Sequence, residues 1–388
     1  MNKIKISILG STGSIGKTLL NIISKDKKKF EIILLTANKN YKELNKQCKK
    51  FKVKNVIITD NNSLKKFKKI NRNKSLNIYE NFQNLEKIFN SKIDYTMSSI
   101  VGIDGLKPTL NIIRYTKKIA IANKETLICA WSLILKELKK YNTKFIPVDS
   151  EHFSIWYSIK EGFGSNIEKI YLTASGGPFL KLPLSKFSKI TIKDAIRHPK
   201  WKMGKKISVD SSTLMNKVFE VIEAKNIFNI SINNLKILIH EDSYLHAIIK
   251  FKDGLTKMII HETDMKIPIF NTLYENKIYK QKNNRLSINK INNLNLKTPE
   301  LKKFPMIKIL KKIPKKNSLF ETIVVSTNDI LVDLFLRRKI SYTDISKIFI
   351  KFIKEKEHIK YLNLSPKSVK QILNLKNLVQ MKIESRYI

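Results

Sequence analysis

Short, continuous runs of apolar residues alternate with stretches of helical spacing in the first 150 residues. The runs are IKISILG at 4–10, FEIILLTA at 30–37, NVIIT at 55–59, KIAIA at 118–122 and KFIPVD at 144–149. Continuous runs rich in Ile and Val are typical of parallel strands that are covered on both faces. The pattern therefore predicts an α/β protein that begins with a doubly wound parallel sheet of the Rossmann type.

The apolar pattern becomes mixed after residue 150. Further apolar runs lie at 167–174, 207–210, 235–240 and 247–260. The last run contains Asp253-Gly254, a hairpin-turn signal, so it predicts two paired strands. A loop-like stretch passes through His198-Pro199, and the run at 207–210 leads into a helical segment that ends near Lys225. These features predict a second domain of mixed α and β structure.

Four segments follow from these changes in pattern. Residues 275–305 are rich in Asn and Lys and have little periodicity, which predicts a linker. Helical spacing dominates from there to the C-terminus. The predicted segments are a sheet domain at 1–149, a mixed α and β domain at 150–274, the linker at 275–305 and a helical domain at 306–388.

The chain carries a large positive charge, because its 388 residues include 75 Lys and Arg against 32 Asp and Glu, a net charge of +43. The lysines are scattered through nearly every segment, and no block of them is interleaved with aromatic residues that would stack on bases. We therefore expect no specific nucleic-acid partner. A basic nucleic-acid-binding protein remains the alternative, with weak and non-specific phosphate binding at low salt in either case.

The remaining composition is that of a cytoplasmic protein. Cys48 and Cys129 are the only cysteines, and no His or Cys lies near either of them at metal-ligand spacing, so we expect neither a disulfide nor a zinc site. The first strand follows the initial Met so closely that it leaves no room for a targeting segment. No apolar run approaches the length of a membrane span, so we expect no membrane association.

A glycine-rich turn joins the first predicted strand to the first predicted helix. Gly10, Gly13 and Gly16 have GxxGxxG spacing within GSTGSIG. Such a turn lets the backbone approach a pyrophosphate, and N–H groups at the helix start favour its charge. A tight turn without a ligand is the alternative, but the position directly after the first strand favours a nucleotide site.

The second strand ends in Asn38, Lys39 and Asn40, where NAD enzymes usually carry an acidic residue that binds the ribose hydroxyls. These three side chains could accommodate a 2′-phosphate, which favours NADPH over NADH. The alternative is that Lys39 is one more surface lysine in a lysine-rich chain.

Two acids, Asp149 and Glu151, follow a predicted strand at the sheet edge where ligands bind in α/β proteins. If the chain stays extended here, both carboxylates project to the same side and can share one hard cation. A solvated strand end is the alternative. A third carboxylate, from Glu220, would complete an oxygen-rich site for Mg²⁺ or Mn²⁺.

Glu220 lies on a predicted helix and shares one face of it with Asn216 and Lys217. A phosphate would find hydrogen-bond donors here in Ser211, Asn216 and Lys217. The alternative is an ordinary surface pair of Lys and Glu.

Upstream, Ser175 supplies a hydroxyl at another strand end. The loop through His198 predicts a mobile segment in which Trp201 forms an aromatic lid, although a lone His is more often structural.

Five segments together resemble the signature set of the 1-deoxy-D-xylulose 5-phosphate reductoisomerase family. They are GSTGSIG at 10–16, ANKE at 122–125, PVDSEH at 147–152, LTASGGPF at 172–179 and HPKWKMGKKISVDSSTLMNKVFE at 198–220. The resemblance is dense up to about residue 270 and thinner in the C-terminal helices. Two positions depart from the family pattern: Asn38 stands where many relatives have Gly, and Thr327-Asn328-Asp329 stands where the family has Ala-Asn-Glu.

The resemblance implies four sets of site residues. The NADPH-binding set is Thr12, Gly13, Ser14, Ile15, Asn123, Glu125 and Gly204. The ligands of Mg²⁺ or Mn²⁺, with Co²⁺ as a further option, are Asp149, Glu151 and Glu220. The substrate contacts are Lys124, Ser150, Glu151, Ser175, His198, Ser211, Asn216, Lys217 and Glu220, of which Ser175, Ser211, Asn216 and Lys217 surround the phosphate. The catalytic set comprises Lys124, His198 and the three metal ligands.

Members of the family rearrange the carbon skeleton of 1-deoxy-D-xylulose 5-phosphate and then reduce the resulting aldehyde to 2-C-methyl-D-erythritol 4-phosphate with NADPH. The resemblance also implies a homodimer, for which the apolar strands near 235–260 are the predicted contact. The alternative function is that of an NADPH oxidoreductase with another substrate, such as a semialdehyde dehydrogenase. That alternative predicts no requirement for a metal.

Overall fold

The computed structural model describes residues 3–159, 166–201, 203–274 and 287–387. The chain forms two compact units. The first contains residues 1–126, 133–149 and 265–279, and the second contains residues 127–132, 150–264 and 280–388. Part of the predicted linker, at 275–286, lies outside the described residues.

The first unit contains a seven-stranded sheet in which every pair of neighbouring strands is parallel. Its strands are β1 (Ile4–Leu9), β2 (Phe30–Ala37), β3 (Asn55–Ile58), β4 (Asn77–Tyr79), β5 (Ile93–Ser98), β6 (Thr116–Ile121) and β7 (Lys144–Pro147). Their order is β4-β3-β2-β1-β5-β6-β7, so the direction of winding reverses beside β1. Ligands of doubly wound sheets bind at such a reversal, beyond the carboxyl ends of the strands. The predicted fold class is confirmed.

Helices of the first unit connect these strands and cover the sheet. They are α1 (Ser14–Ser24), α2 (Tyr41–Phe51), α3 (Asn61–Ile70), α4 (Leu106–Ile113) and α5 (Lys124–Lys140). Ile6 and Ile8 of β1 are fully buried, as is Leu19 of α1, because the strand is covered on both faces and the helix turns one apolar face to it.

A helix from a distant part of the chain completes this core. It is α10 (Lys266–Tyr274), which belongs to the first unit. The ring of Tyr274 meets the ring of Phe30 edge-on at 5.7 Å, and the hydroxyl groups of Tyr95 and Thr272 lie 2.9 Å apart. These contacts join α10 to the strands of the sheet.

The second unit contains a four-stranded mixed sheet. Its strands are β8 (Ile167–Ala174), β9 (Leu235–Ile239), β10 (Leu245–Phe251) and β11 (Thr256–Ile260), in the order β11-β10-β8-β9. The β10–β11 pair is antiparallel and turns at Asp253-Gly254, as predicted. Gly254 has a φ of +87°, a left-handed conformation that favours glycine in a tight turn. The helices before and between these strands are α6 (Ser150–Ile159), α7 (Ile192–Ala195), α8 (Lys205–Ser212) and α9 (Met215–Phe228).

The C-terminal region is helical, which confirms the prediction from its spacing. Its helices are α11 (Ile288–Asn292), α12 (Leu319–Leu336), α13 (Tyr342–Ile353) and α14 (Val369–Tyr387). Ser318 begins α12 with a capping box, in which its hydroxyl accepts from the helix backbone and Glu321 accepts from the Ser318 N–H. Glu321 also accepts a hydrogen bond from Lys225 of α9, and both side chains are buried.

The apolar run at 207–210, which was predicted to lead into a helical segment, lies inside helix α8 itself. In the described part of the predicted linker, Lys297 forms an isolated antiparallel β-bridge with Ile239. The predicted bounds of the four segments stay a prediction. Among the described helices, none has the length and hydropathy needed to cross a membrane.

Candidate functional site

The glycine turn of the first unit lies between β1 and α1, beside the reversal of the sheet. Gly10 has a φ of +79°, and a Cβ there would lie 2.8 Å from the Ser99 carbonyl oxygen. A Cβ on Gly16 would lie 2.6 Å from the Cα of Ser11. Both glycines are therefore required by the close packing of the turn itself.

Gly13 is different, because nothing within the described chain requires glycine at this position. Its φ is −77°, and a Cβ would lie 3.4 Å from its nearest neighbour, the Gly10 carbonyl oxygen. Gly13 is the N-cap of α1, and no side chain caps this helix start. A ligand that approaches the backbone closely, such as a pyrophosphate, gives glycine a reason here.

The end of β2 has structural contacts at two of its three predicted cofactor residues. The Asn38 amide donates to the hydroxyl of Thr59 at 2.8 Å. Asn40 caps α2, because its side-chain oxygen accepts from the N–H of Glu43. Lys39 lies between them and is exposed. Their role toward a 2′-phosphate stays a prediction.

The segment after β6 presents Asn123 and Lys124 at the carboxyl edge of the same sheet. Asn123 is buried and caps α5 by accepting from the N–H of Thr126 at 2.8 Å. Its amide group donates to the carbonyl oxygens of Ile100 and Gly102 after β5, and thus joins two loops of this edge. The Lys124 ammonium lies 2.9 Å from an Asp149 carboxylate oxygen after β7.

The predicted geometry of the acidic pair is wrong in one respect. The chain does not stay extended after β7, because α6 begins at Ser150 and Glu151 lies in its first turn. Asp followed by Ser and Glu is typical of a helix start, and acidic side chains in a first turn are favoured by the positive end of the helix dipole. The Ser150 hydroxyl donates to Glu151 at 2.7 Å.

Glu151 and Glu220 share one cationic partner inside the second unit. The ammonium of Lys217 donates to a carboxylate oxygen of Glu151 at 2.6 Å and also donates to Glu220. Asn216 donates to the other oxygen of Glu220. The side chains of Lys217 and Glu220 are 4% and 1% exposed, so the predicted helix face is almost completely removed from water.

The charges of this cluster depend on one another. Burial alone would raise the pKa of Glu151, but the adjacent Lys217 ammonium outweighs burial and holds this pKa well below its usual range. Burial alone would lower the pKa of Lys217, whereas Glu151 and Glu220 raise it. The Lys217 ammonium, which lies between the two acids, therefore keeps Glu151 ionised.

His152 joins the two helices that carry these acids. Its Nε2 lies 2.9 Å from the backbone carbonyl oxygen of Glu220, and its ring is 1% exposed. Because a carbonyl oxygen only accepts, Nε2 carries the proton and donates to it. This contact fixes α6 against α9, and with them the separation between Glu151 and Glu220.

Ser175 and His198 meet at the carboxyl end of β8. The His198 Nδ1 accepts from the N–H groups of Lys200 and Trp201 at 3.2 and 2.9 Å, so the ring proton lies on Nε2. Nε2 is 3.0 Å from the Ser175 hydroxyl oxygen, which also accepts from the Gly177 N–H. Burial lowers the pKa of His198 to about 4, so this ring is neutral at neutral pH. The Ser175 hydroxyl proton is therefore directed away from His198 and Gly177.

Trp201 contacts His246, one of two stacked histidines that sequence patterns did not identify. Its ring lies edge-on to His246 at 6.3 Å, and His246 stacks on His261 at 3.7 Å. Burial lowers the pKa of His246 to about 3, and Glu151 is among the charged groups that act on it. The available signal was a polar residue inside the apolar strand β10.

The second unit thus brings together several of the predicted residues. Glu151, Lys217 and Glu220 form one cluster with Asn216. Gly177 lies against Ser211, where a Cβ would be 2.7 Å from the Ser211 carbonyl oxygen. Gly204 is the N-cap of α8, and a Cβ there would meet no heavy atom within 4 Å.

Family models match most of the chain. The model described as 1-deoxy-D-xylulose 5-phosphate reductoisomerase matches residues 6–131, the model of its C-terminal domain matches residues 145–228, and a second model, described as DXP reductoisomerase C-terminal domain, matches residues 260–382.

Known relatives and solved structures are similar to this chain over nearly its full length. The 1-deoxy-D-xylulose 5-phosphate reductoisomerase of Pelagibacter ubique (strain HTCC1062) is 56% identical over 383 residues, covering 98% of this chain and 99% of the relative. That of Clostridium novyi (strain NT) is 37% identical over 386 residues, with 98% and 99% covered. The enzyme from Zymomonas mobilis, solved in complex with NADPH, is 30% identical with a TM-score of 0.88, covering 99% of both chains.

A further solved structure is DOX-P reductoisomerase in complex with NADPH, fosmidomycin and magnesium. It is 27% identical to this chain, with a TM-score of 0.89 and coverage of 99% of this chain and 100% of that one. The resemblance that the motifs indicated is thereby confirmed over the whole length. This chain belongs to the 1-deoxy-D-xylulose 5-phosphate reductoisomerase family.

Proposed function

We propose that this chain is a cytoplasmic enzyme that converts 1-deoxy-D-xylulose 5-phosphate to 2-C-methyl-D-erythritol 4-phosphate with NADPH, a step of the non-mevalonate route to isoprenoid precursors. The observation that carries the proposal is that Glu151 and Glu220 share one buried ammonium group, that of Lys217, in a chain 56% identical to a reductoisomerase.

Asp149, Glu151 and Glu220 are the proposed ligands of Mg²⁺ or Mn²⁺. An all-carboxylate set suits these hard cations, and the position of Lys217 between two of the acids is evidence that the cluster needs positive charge. Asp149 is tethered two residues before Glu151. Bound here, the ion supplies Lewis-acid stabilisation of negative charge on substrate oxygens.

The phosphate of the substrate is proposed to bind Ser175, Ser211, Asn216 and Lys217. Ser175 is suited to this role because His198 and Gly177 both donate to its oxygen, which leaves the hydroxyl proton for an acceptor outside this pair. Phosphate contacts remote from the reacting carbons orient the substrate, and Trp201 is proposed to cover the sugar and exclude water.

NADPH is proposed to bind at the glycine turn and to supply the hydride for the reduction. Gly13 fits this role, because neither its φ nor a contact within the described chain requires glycine there and the backbone is open to close approach. The other proposed contacts are Thr12, Ser14, Ile15, Asn38, Lys39, Asn40, Asn123, Glu125 and Gly204. Lys124, whose ammonium lies at the same sheet edge, is proposed to donate to a substrate oxygen that becomes negative during the reaction.

The oxidation of NADPH with 1-deoxy-D-xylulose 5-phosphate tests the function directly. We expect turnover that follows the loss of NADPH absorbance, falls to background when a chelator removes divalent ions, and returns when Mg²⁺ or Mn²⁺ is added. Undiminished turnover in chelator would contradict the proposal and favour an NADPH oxidoreductase with another substrate. A nucleic-acid complex that is sequence-selective and survives physiological salt would instead favour the other alternative.

We also propose that the enzyme is a homodimer. β11 is an edge strand of the second sheet, and the side chains of Leu255 and Met258 beside and within it are 62% and 47% exposed. Apolar side chains on an open edge favour pairing with another chain. Sedimentation is expected to give twice the chain mass of 45.2 kDa, and Met258→Lys with Leu255→Lys is expected to shift the protein toward the monomer. A wild-type species of 45.2 kDa at assay concentrations would contradict the proposal.

A further inference from the structure

A polar contact deep in the second unit joins the C-terminal helix α12 to the short helix α8. The amide group of Asn328 donates to a carboxylate oxygen of Asp210 at 2.7 Å across 118 positions of sequence. Asn328 is fully buried and Asp210 is 1% exposed. A contact of this kind, between two polar side chains away from water, is specific in direction as well as in distance.

The second oxygen of Asp210 is also bound. Lys206, one turn earlier in α8, places its ammonium 2.9 Å from this oxygen and 2.8 Å from a carboxylate oxygen of Asp329. The same ammonium lies over the ring of Phe219 at 5.2 Å. Asn328 and Asp329, neighbours in α12, thus hold α8 through one amide and one shared lysine.

The residue that follows Asp210 is Ser211, a proposed phosphate contact. The backbone next to Ser211 is also held in place, because Tyr342 of α13 donates to the Ser212 carbonyl oxygen at 2.9 Å. Leu214, which separates α8 from α9, is buried and has a φ of +58°. A left-handed conformation at a non-glycine residue is retained only where its surroundings determine it.

We infer that Asn328 is a positioning residue for the phosphate subsite, acting through Asp210 to hold Ser211 in place. The inference rests on the proposed function, and it gives the C-terminal helices an indirect part in substrate binding. Asn328 touches neither cofactor nor substrate in this scheme. Its effect should therefore appear in phosphate affinity and only weakly in the affinity for NADPH.

The test compares Asn328→Leu with Thr327→Val in the full-length enzyme. Leu has the same number and branching of heavy side-chain atoms as Asn but cannot donate to Asp210. Thr327 is equally buried on the same helix, so Thr327→Val is a matched control for the loss of one polar group. The measurements are kcat, KM for substrate and for NADPH, and the inhibition constant of inorganic phosphate as a competitor of the substrate.

We expect Asn328→Leu to raise the substrate KM and the phosphate inhibition constant together, by about tenfold, with a smaller effect on kcat and less than about a twofold effect on the KM for NADPH. Thr327→Val should match the wild type. An unchanged phosphate inhibition constant in a folded Asn328→Leu enzyme would overturn the inference, and so would an equal rise in the KM for NADPH or in the control.

Two further variants complete the test. If Asn328→Leu does not fold by circular dichroism, Lys206→Met replaces it, because Lys206 binds the other oxygen of Asp210 at a partly exposed position. A raised phosphate inhibition constant there supports the inference and an unchanged one overturns it. Ser211→Ala tests the subsite itself: an unchanged constant refutes the proposed phosphate site, whereas a raised constant with a normal Asn328→Leu enzyme refutes only the positioning role.

Discussion

Replacement of Glu220 by Gln is expected to lower kcat by at least about 1000-fold while the enzyme stays folded. Gln has nearly the same volume, and its side-chain oxygen can still accept from Lys217. The substitution removes one negative charge from the proposed ion site, and the loss of about 4 kcal/mol of transition-state stabilisation corresponds to this factor. Turnover at saturating Mg²⁺ or Mn²⁺ measures the effect, and circular dichroism confirms the fold.

Glu223→Gln is the matched control for this experiment. Glu223 lies three residues further along the same helix and is also 1% exposed, but it is outside the proposed ligand set. The control removes the same charge at the same depth, so a general effect of burying a neutral amide would lower activity in both variants. Near-normal turnover of Glu220→Gln with either metal, or equal losses in the two variants, would refute the role of Glu220.

Much of the first unit could be predicted from the sequence, because its strands and helices are determined by short, contiguous segments. Five of its seven strands contain a predicted apolar run, and the glycine turn follows β1 directly. The other two strands, β4 and β5, have the sequences NIY and IDYTMS, which are not continuous apolar runs, and they were not predicted. The return of α10 to this core could not be predicted in the same way. The contact between Tyr274 and Phe30 joins residues more than half the chain apart, and nothing in the spacing of either segment indicates its partner.

In the candidate site, too, the features set by local sequence could be predicted and those set by packing could not. The spacing of Asn216, Lys217 and Glu220 correctly predicts a shared helix face, because helical geometry alone determines it. The condition of an extended chain between Asp149 and Glu151 is not met, because a helix begins at Ser150, directly after the apolar run of β7. Strand propensity and helix capping compete at such a junction, and tertiary packing decides the outcome.

Contacts between polar groups from separate elements were the least predictable part. Lys217 was assigned as a donor to phosphate, yet its ammonium also neutralises Glu151, which lies 66 positions earlier. Asn328 was recognised only as part of a departure from the family pattern, and its contact with Asp210 depends on how α12 packs on α8. This chain has so many lysines that its composition could not indicate which of them is buried.

The dual contact of Lys217 leads to the second large effect. Lys217→Met is expected to lower the free energy of unfolding by about 3–5 kcal/mol in chelator, because it leaves Glu151 and Glu220 buried without their shared cation. Excess Mg²⁺ should restore part of the loss by supplying positive charge to the same carboxylates. Activity should remain near background, since a proposed phosphate contact is also lost.

The pH dependence of this variant should have the opposite sign from that of the wild type. In the wild type the lowered pKa of Glu151 stabilises the fold above the unfolded-state pKa, and this stability is lost as the pH falls. Without Lys217, burial raises the pKa of Glu151, so the folded state binds more protons than the unfolded state. The variant should therefore lose stability as the pH rises through this raised pKa.

Urea unfolding at about pH 3, about pH 5 and about pH 8, with chelator and with Mg²⁺, separates the two effects, because the wild-type change falls between the two lower pH values and the variant's change between the two higher ones. Lys250→Met is the control, because Lys250 and Glu168 form an ion pair at 2.9 Å whose side chains are 43% and 39% exposed. Loss of that pair should lower the free energy of unfolding by less than about 1 kcal/mol, and this decrease should not depend on Mg²⁺. If Lys217→Met behaves like Lys250→Met, the two buried carboxylates do not require a cation, and the physical basis for a metal at Glu151 and Glu220 is removed.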